Sequence, residues 1–239
     1  QPKAYSGTYG TNGFELNFSD NSASTAATIG KDYSGNGNNW TPNNISVTAG
    51  STYDSMTDVP TLTSATAANY PTLNPLRIGP NVTLSQGNLQ HNNNTVTYDE
   101  FGIATIGLPL TGKWYFEGTA SSNAVFGVVN GTDPADASQT MYNSANTYLY
   151  MYTGNKRNNN TNTAYGATFT TNDIIGVAVD RDAGTITFYK NNTSQGQAFS
   201  GLPSIDLFFT IEDYGNRSVY ANFGQRPFTY TPPTGYVAL

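Results

Sequence analysis

The strongest constraint on the fold is a β-hairpin pattern at residues 172–189, which read NDIIGVAVDRDAGTITFY. The first half is almost continuously apolar, and the second half alternates so that Ile186 and Phe188 share one face. Between the halves, Asp180 and Asp182 precede a glycine, and these residue types close tight turns. The pattern predicts a buried central strand followed by a half-exposed one.

The rest of the chain reads as short β-type runs separated by Gly, Asn and Pro, a pattern typical of a sandwich or barrel. Residues 45–80 differ, because four prolines interrupt them and they show little periodicity. We predict that residues 1–80 hold one strand, a Gly/Asn-rich turn and an extended linker that packs on the sandwich or on a neighbouring chain. A β-sandwich is predicted for residues 81–239. Beside the hairpin, strands are predicted at 14–18, 82–84, 89–90, 95–98, 103–106, 113–119, 124–129, 147–152, 167–169, 207–211 and 219–223.

The composition excludes several classes of function. The chain of 239 residues has a net charge of −6 and no basic patch, so nucleic-acid binding is not expected. Cysteine is absent, which excludes disulfides, zinc ribbons and thiol catalysis. No apolar run is long enough to cross a bilayer, so membrane insertion is not expected. A surface rich in Asn, Thr, Ser and Tyr suits neutral polar ligands or tight contacts with other subunits.

The residues that could carry catalysis favour structural roles. His91 is the only histidine and lies in a polar stretch typical of a solvated loop, which excludes a histidine metal cluster and disfavours a catalytic triad. The acids of residues 180–182 suit a turn rather than a cleft. Glu117 is interpreted as a strand glutamate paired with Lys113 or Arg217. We therefore predict that the protein is not an enzyme.

Two neighbouring segments are candidates for ligand binding. Tyr148, Tyr150 and Tyr152 alternate along YLYMY and share one face of a predicted strand. If the apolar residues between them face the core, the tyrosines form an exposed ladder that could stack on sugars or anchor a protein. Alternatively, the tyrosines face the second sheet. The hydrophilic loop that follows contains Lys156 and Arg157 and is a candidate binding loop.

A weaker motif could bind a cation. Asp32, Ser34, Asn36 and Asn38 place oxygen-bearing side chains at alternate positions, and Asp20 could join them from a strand end. Such oxygen ligands suit calcium. The favoured alternative is a polar turn fixed by Asx hydrogen bonds, because only one residue of the motif is charged. No other cofactor is expected.

Four segments in order resemble SPRY domains. GKWYFEGT at 112–119 resembles the aromatic strand with its glutamate, and VFGVVN at 125–130 resembles the next strand with its central glycine. The long run at 172–199 resembles the most typical SPRY segment, and VYANFGQRPF at 219–228 resembles the closing strand. The resemblance implies an all-β fold, a two-sheet antiparallel jelly-roll sandwich of the concanavalin A-like/SPRY type, with the extended N-terminal segment wrapping on it.

The N-terminal part carries a second resemblance. Residues 14–47 are similar to the start of laminin G and concanavalin A-like modules, through a strand followed by DYSGNGN. With the linker at 54–61, the whole layout resembles bacteriophage tail-fibre and other virion structural proteins.

These resemblances imply a non-enzymatic virion structural or appendage protein: a fibre, spike or decoration on the particle surface. Its partners would be other virion subunits or copies of itself in a homo-oligomer, and host-surface polysaccharide or protein. The alternative is a carbohydrate-binding, lectin-like module of a secreted bacterial protein.

Overall fold

A computed structural model describes residues 5–56, 68–96, 99–132, 142 and 144–239. The chain divides into two compact units, Gln1–Met56 and Thr57–Leu239. The strands are β1 (Leu73–Ile78), β2 (Val82–Ser85), β3 (Gln90–Asn93), β4 (Asp99–Leu108), β5 (Lys113–Thr119), β6 (Val125–Asn130), β7 (Tyr148–Met151), β8 (Asn155–Asn158), β9 (Thr161–Ala164), β10 (Ile174–Asp180), β11 (Thr185–Lys190), β12 (Thr193–Ser200), β13 (Leu207–Tyr214), β14 (Arg217–Asn222) and β15 (Val237–Ala238). All of them belong to the second unit.

The strands form a two-sheet sandwich. The seven-stranded sheet has the order β1-β4-β13-β6-β7-β8-β9. The eight-stranded sheet has the order β12-β11-β10-β5-β14-β3-β2, with β15 beside β5. Only the β15–β5 pairing is parallel among those described. The predicted all-β, two-sheet antiparallel jelly-roll architecture is therefore confirmed.

The hairpin at the centre of the prediction is β10 and β11. β10 pairs with β11 on one side and β5 on the other, and its residues from Ile175 onward are buried. β11 alternates between buried and part-exposed positions, as predicted. Asp180 caps the turn by accepting the backbone N–H of Ala183 at 2.9 Å, and its other oxygen pairs with Lys113 at 2.9 Å.

Aromatic side chains hold the two sheets together. Phe209 of β13 lies 4.4 Å, centroid to centroid, from Phe116 of β5, and Phe116 lies 5.5 Å from Phe223. At the other end of the sandwich, Tyr150 of β7 lies 5.2 Å from Phe188 of β11. All five are fully buried, so this layer is the main core of the sandwich.

The seven-stranded sheet is also covered on its outer face. Side chains that alternate with the inter-sheet layer form a second apolar cluster of Phe101, Ile103, Val125, Val129, Tyr142 and Leu149. The Tyr142 ring closes this cluster with an edge contact to Phe101, 5.3 Å between centroids. The outer face is therefore apolar over the central part of β4, β6 and β7.

Two strand predictions in the second unit do not match the structure. Residues 167–169 are not a strand, although Phe169 is buried against Tyr150 at 5.0 Å. Thr95 and Val96 are likewise outside any strand, and residues 97–98 lie outside the described residues. The sequence placed the start of the sandwich at residue 81, whereas β1 pairs with β4 before that position. Leu73 is the only fully buried position of β1, so the strand has no periodic signal.

The first unit contains no strand among its described residues. The predicted strand at 14–18 is wrong: Leu16 makes only an isolated bridge to Asp32, and Phe18 has φ 54°. That positive φ breaks an extended run. Phe14 and Phe18 are both exposed, and the Phe14 ring packs at a tilt against Trp40, 4.7 Å between centroids. Residues 57–67 of the predicted linker lie outside the described residues.

The structure corrects the predicted partner of Glu117. Instead of a basic residue, its carboxylate accepts the backbone N–H groups of Thr229 and Tyr230 at 2.7 and 3.0 Å and the Tyr115 hydroxyl at 3.1 Å. Burial raises the pKa of Glu117, and these hydrogen bonds offset part of that rise. Glu117 therefore fastens the C-terminal segment to β5.

In the part of the chain that the structure describes, no helix has the length and apolar character that a bilayer crossing requires.

His91 also differs from the prediction. It is not in a solvated loop but in β3, fully buried, while its neighbours Gln90 and Asn92 face outward and hydrogen-bond each other at 2.7 Å. Burial lowers the pKa of His91 to about 4, and the backbone of Phe101 offsets only part of this effect. The imidazole is therefore neutral at physiological pH.

This burial predicts a specific pH dependence. The unfolded chain takes up a proton on His91 near pH 6.5 and the folded chain only near pH 4, so stability falls as the pH drops through that window. We expect this group to contribute a loss on the order of 3 kcal/mol. Denaturant unfolding of wild type and His91→Phe between pH 4 and 7 isolates the effect. Parallel pH profiles for the two proteins would contradict it.

Candidate functional site

The structure decides between the two interpretations of the tyrosine strand. Tyr148 and Tyr150 face the eight-stranded sheet and are 8% and 0% exposed. The Tyr148 ring contacts Phe199 at 5.2 Å, and the Tyr150 hydroxyl donates to the carbonyl of Ala167. The exposed ladder is therefore wrong for these two residues. Both faces of β7 are buried, because Leu149 belongs to the outer cluster.

The predicted binding loop after this strand is a hairpin. Residues 155–158 and 161–164 pair as β8 and β9, and Asn159 and Asn160 form the two-residue turn with φ of 47° and 55°. Two positive φ angles are the requirement of a type I′ turn, which asparagine tolerates. The sequence did not predict these strands, because a polar edge hairpin has no apolar alternation.

Lys156 and Arg157 point to opposite faces of this hairpin. Lys156 is on the face of the inter-sheet layer, where its ammonium donates to the carbonyl of Ala198 at 2.5 Å and lies 5.3 Å from the centre of the Phe199 ring. Arg157 is on the outer face, where its guanidinium lies 3.9 Å from the centre of the Tyr142 ring. The two predicted residues therefore belong to different sites.

Arg157 and the half-buried Tyr152 line a cavity of about 220 Å³ at one end of the seven-stranded sheet. We call this cavity the strand-end cavity. Its lining is Asp99, Asn123, Val125, Tyr142, Met151, Tyr152, Arg157, Glu212 and Tyr214. Two of the five predicted ligand-binding residues are therefore part of it.

Strand register brings two carboxyl groups into this cavity. Tyr214 is directly opposite Asp99 and Glu212 is directly opposite Phe101, across the antiparallel β13–β4 pair. On one face of such a pair, diagonal neighbours lie close enough for long side chains to interact. Glu212 is also opposite Val125 of β6, so it lies on an inner strand of the sheet, between β4 and β6. The arrangement places an acidic side chain on an otherwise apolar face.

Glu212 is the most unusual residue of the cavity. It is 1% exposed, and one carboxyl oxygen, Oε1, accepts a hydrogen bond from the Tyr142 hydroxyl. The other oxygen, Oε2, is buried and has no hydrogen-bond partner among the residues that the structure describes. An unpaired polar atom in such a position is costly.

The electrostatics of the cavity follow from burial. Burial raises the pKa of Glu212 well above its ordinary value, and Asp99 and Asp213 add to the effect by like-charge repulsion. Burial also raises the pKa of Asp99, and the Arg157 guanidinium opposes this rise. On the other face of β13, burial raises the pKa of Asp213 to about 6, although Ser121 donates to it at 2.6 Å.

Arg157 offsets one of the two acids in the cavity. Besides stacking on Tyr142, it donates to Asn160 at 2.6 Å, while its Nε is buried and has no partner in the described part of the chain. The rim is formed by Asn123, whose amide donates to the carbonyl of Tyr214 at 3.2 Å, and by the Tyr214 side chain, which is 42% exposed. The cavity therefore has a polar floor and an accessible aromatic rim.

Sequence reasoning missed Asp99, Tyr142, Glu212 and Tyr214. One signal was available: Glu212 interrupts the apolar run LFFTI of β13, where an acid on a buried face is unusual. The role of Tyr142 could not be found, because no local pattern shows that its ring packs against Phe101 and Arg157.

The candidate calcium residues form the polar turn. Both Asp32 oxygens are saturated: Oδ1 accepts the N–H groups of Glu15 and Ser34, and Oδ2 accepts the N–H of Asn38 and the Ser34 hydroxyl, all at 2.8–2.9 Å. The Asn36 and Asn38 side chains donate to loop carbonyls, among them that of Gly13 at 2.9 Å.

The remaining calcium candidate, Asp20, caps its own turn by accepting the N–H of Ser22 at 3.2 Å and the Ser22 hydroxyl at 2.6 Å. The motif therefore satisfies its own hydrogen bonds, as the polar-turn alternative predicted. Among the described residues, no group of three or more acidic or histidine side chains is arranged to hold a metal ion.

Comparison with known proteins identifies the sandwich. The family model of the SPRY domain matches residues 113–226. These residues form a SPRY domain. The solved SPRY domain of human HERC1 has a TM-score of 0.54 at 19% identity, over 62% of this chain and 96% of that chain. Stonustoxin has a TM-score of 0.53 at 20% identity, over 64% of this chain and 27% of that chain. At these low sequence identities, the similarity to the two structures shows a shared fold and nothing further.

Similar sequences include two RNA helicases. The ATP-dependent RNA helicase Ddx1 of Drosophila melanogaster is 31% identical over 137 residues, which are 56% of this chain and 18% of the helicase. The DDX1 helicase of Xenopus laevis is 32% identical over 131 residues, which are 54% of this chain and 17% of the helicase. The chain thus spans less than a fifth of these relatives. The comparisons support the SPRY resemblance and give no support to the resemblance to bacteriophage fibre proteins.

The buried carboxyl of Glu212 predicts a pH effect of opposite sign to that of His91. The folded state keeps the Glu212 proton above pH 4.5, where the unfolded chain has lost it, so this group lowers stability as the pH rises from that value. We expect Glu212→Gln to be more stable than wild type at pH 8 and to differ less at pH 4. Thermal unfolding of both proteins across this range measures the difference, and a constant difference would contradict the assignment.

For the Asp32 turn we expect hydrogen exchange to respond to mutation of Asp32 but not to calcium. Burial alone would raise the pKa of Asp32, but the amides of Glu15, Ser34 and Asn38 outweigh it and lower the pKa to about 2. Asp32→Asn replaces an acceptor oxygen by an NH₂ group, so we expect faster hydrogen exchange at the Ser34 and Asn38 amides. Millimolar calcium should leave exchange in wild type unchanged. Slower exchange with calcium would instead support a cation site.

Proposed function

We propose that the SPRY domain is a non-catalytic binding module that accepts one side chain of a protein partner in the strand-end cavity. The observation that carries this proposal is the combination of a buried, incompletely hydrogen-bonded Glu212 with an accessible Tyr214 at the rim. Tyrosines around a partly desolvated pocket are typical of the centre of a protein interface. At about 220 Å³ the cavity is smaller than the ~300–1,000 Å³ of small-molecule pockets, so its size suits a single side chain.

The family membership of residues 113–226 supports the same function, because SPRY domains generally mediate protein–protein interactions. The cavity also lacks the arrangement that acid–base catalysis needs. Its carboxyl groups are Asp99, which the Arg157 guanidinium offsets, and Glu212, which the Tyr142 hydroxyl engages, so neither is a free general base. Roles in a virion, with other virion subunits or host-surface polysaccharide as partners, stay predictions from the sequence.

The test is a selection of displayed random peptides on the whole chain. We expect clones whose affinity falls about tenfold or more with Tyr214→Ala, the loss typical of an interface anchor. Tyr220→Ala is the matched control, because this part-exposed tyrosine lies on β14 in the opposite sheet. Recovery of peptides that bind both variants equally, or recovery of none, would refute the proposal.

A second candidate function is the predicted lectin-like binding, which a separate groove of about 310 Å³ favours. Its lining combines amide and hydroxyl side chains with one aromatic ring: Lys156, Asn158, Asn159, Thr161, Thr163 and Phe199. Such groups suit the hydroxyls and the apolar face of a sugar. A glycan array compares wild type with Thr163→Val, and glycan binding that the substitution weakens would support this function.

A further inference from the structure

We propose that the strand-end cavity selects a basic side chain, so that the partner segment presents an arginine or a lysine to Glu212. This inference rests on the proposed function and names the chemistry of its ligand. It is carried by the hydrogen-bond state of Glu212, by the position of Arg157, and by the tyrosines that line the cavity.

The hydrogen-bond inventory of the cavity favours a donor. Tyr142 satisfies only one oxygen of Glu212, and Oε2 remains an acceptor enclosed by the sheet. A guanidinium carries five N–H donors and no acceptor, and an ammonium carries three. Either group could satisfy Oε2, whereas an incoming carboxylate would bring acceptors toward it. Glu212 is protonated without a ligand, and an approaching cation favours its ionised form. Since a charge-assisted bond is roughly twice as strong as a neutral one, a cation then gains more here than an amide.

The cavity already holds one guanidinium, which shows that its walls accept this group. Arg157 lies against the Tyr142 ring at 3.9 Å and interacts electrostatically with Asp99. The aromatic face and the carboxylate are the two elements of a cation site. Arg157 offsets the charge of Asp99, and the second acid, Glu212, has no basic partner among the described residues. Tyr152 and Tyr214 line the same cavity and supply further ring surface.

The net charge of the whole chain also favours a basic ligand. A formal charge of −6 raises the local concentration of basic segments and accelerates their association. An acidic ligand would meet this repulsion and the two carboxyl groups of the cavity. Within the cavity lining its attraction would come from Arg157, whose Nε lacks a partner among the described residues. A substitution of Arg157 therefore tests the alternative, in which the ligand is acidic.

The experiment titrates the ¹⁵N-labelled chain with four capped amino acids: the Nα-acetyl methylamides of arginine, lysine, glutamine and glutamate. We expect saturable shifts of the amides of Asn123, Tyr152 and Tyr214 with the arginine and lysine probes only. Glu212→Gln should weaken this binding about tenfold, because the amide keeps the acceptor for Tyr142 but cannot ionise opposite the cation. Asp99→Asn is a second variant with the same expected direction. Ser200→Ala, at the far edge on β12, should have no effect.

Arg157→Gln makes the test two-sided. If the ligand is a cation, removing the resident guanidinium frees Asp99 and the Tyr142 ring, so affinity for the arginine probe should rise. Binding of the glutamate probe that Arg157→Gln abolishes would overturn the inference in favour of an acidic ligand.

The displayed-peptide selection separates this inference from the function on which it rests. Tyr214-dependent peptides enriched in arginine or lysine would support both. Tyr214-dependent peptides without basic residues would support the binding module and overturn the choice of ligand. The absence of Tyr214-dependent peptides would overturn both.

Discussion

The packing of Phe209 against Phe116 between the two sheets is the contact on which the rest of the sandwich depends. It fixes which residues of β13 face inward, and the strict alternation of a strand then sends Phe208, Thr210 and Glu212 to the outer face. A shift of one residue would exchange the two sets and place Ile211 or Asp213 where Glu212 now lies. The position of the candidate site is therefore a consequence of core packing.

Burial of β7 on both faces restricts where binding can occur. Tyr150 is committed to the inter-sheet layer and Leu149 to the outer cluster, so β7 has no free face along its length. The outer cluster gives way to polar side chains between Tyr142 and the last residues of β13. The strand-end cavity occupies this boundary. A carboxyl that destabilises the fold at such a boundary is a common sign of a functional position, because folding alone would favour an apolar residue there.

The sequence predicted those elements in which local pattern and tertiary role agree. The boundaries of β5 were predicted without error, and both strands of the β10–β11 hairpin were found, because their apolar periodicity reflects burial directly. The β8–β9 hairpin was missed, since its polar residues pair only through the backbone and the Asn159–Asn160 turn. The alternation of the tyrosine strand was predicted correctly. The face on which the tyrosines lie could not be predicted, because it depends on the outer cluster that contains Leu149. Of the cavity, Tyr152 and Arg157 were predicted, whereas the acids that give it character come from strands distant in sequence.

The resident Arg157 has a consequence for specificity. A cavity with two unopposed carboxyl groups would attract any cation, including inorganic ions. With Arg157 stacked on Tyr142, one acid is already engaged, and the remaining acceptor is enclosed by side chains that leave room for a single residue. An entering side chain must then bring its own donors and displace water from aromatic surface at the same time. Small hydrated ions bring donors but do not cover the aromatic surface, and neutral apolar residues cover this surface but bring no donors. The cavity therefore selects a ligand that does both.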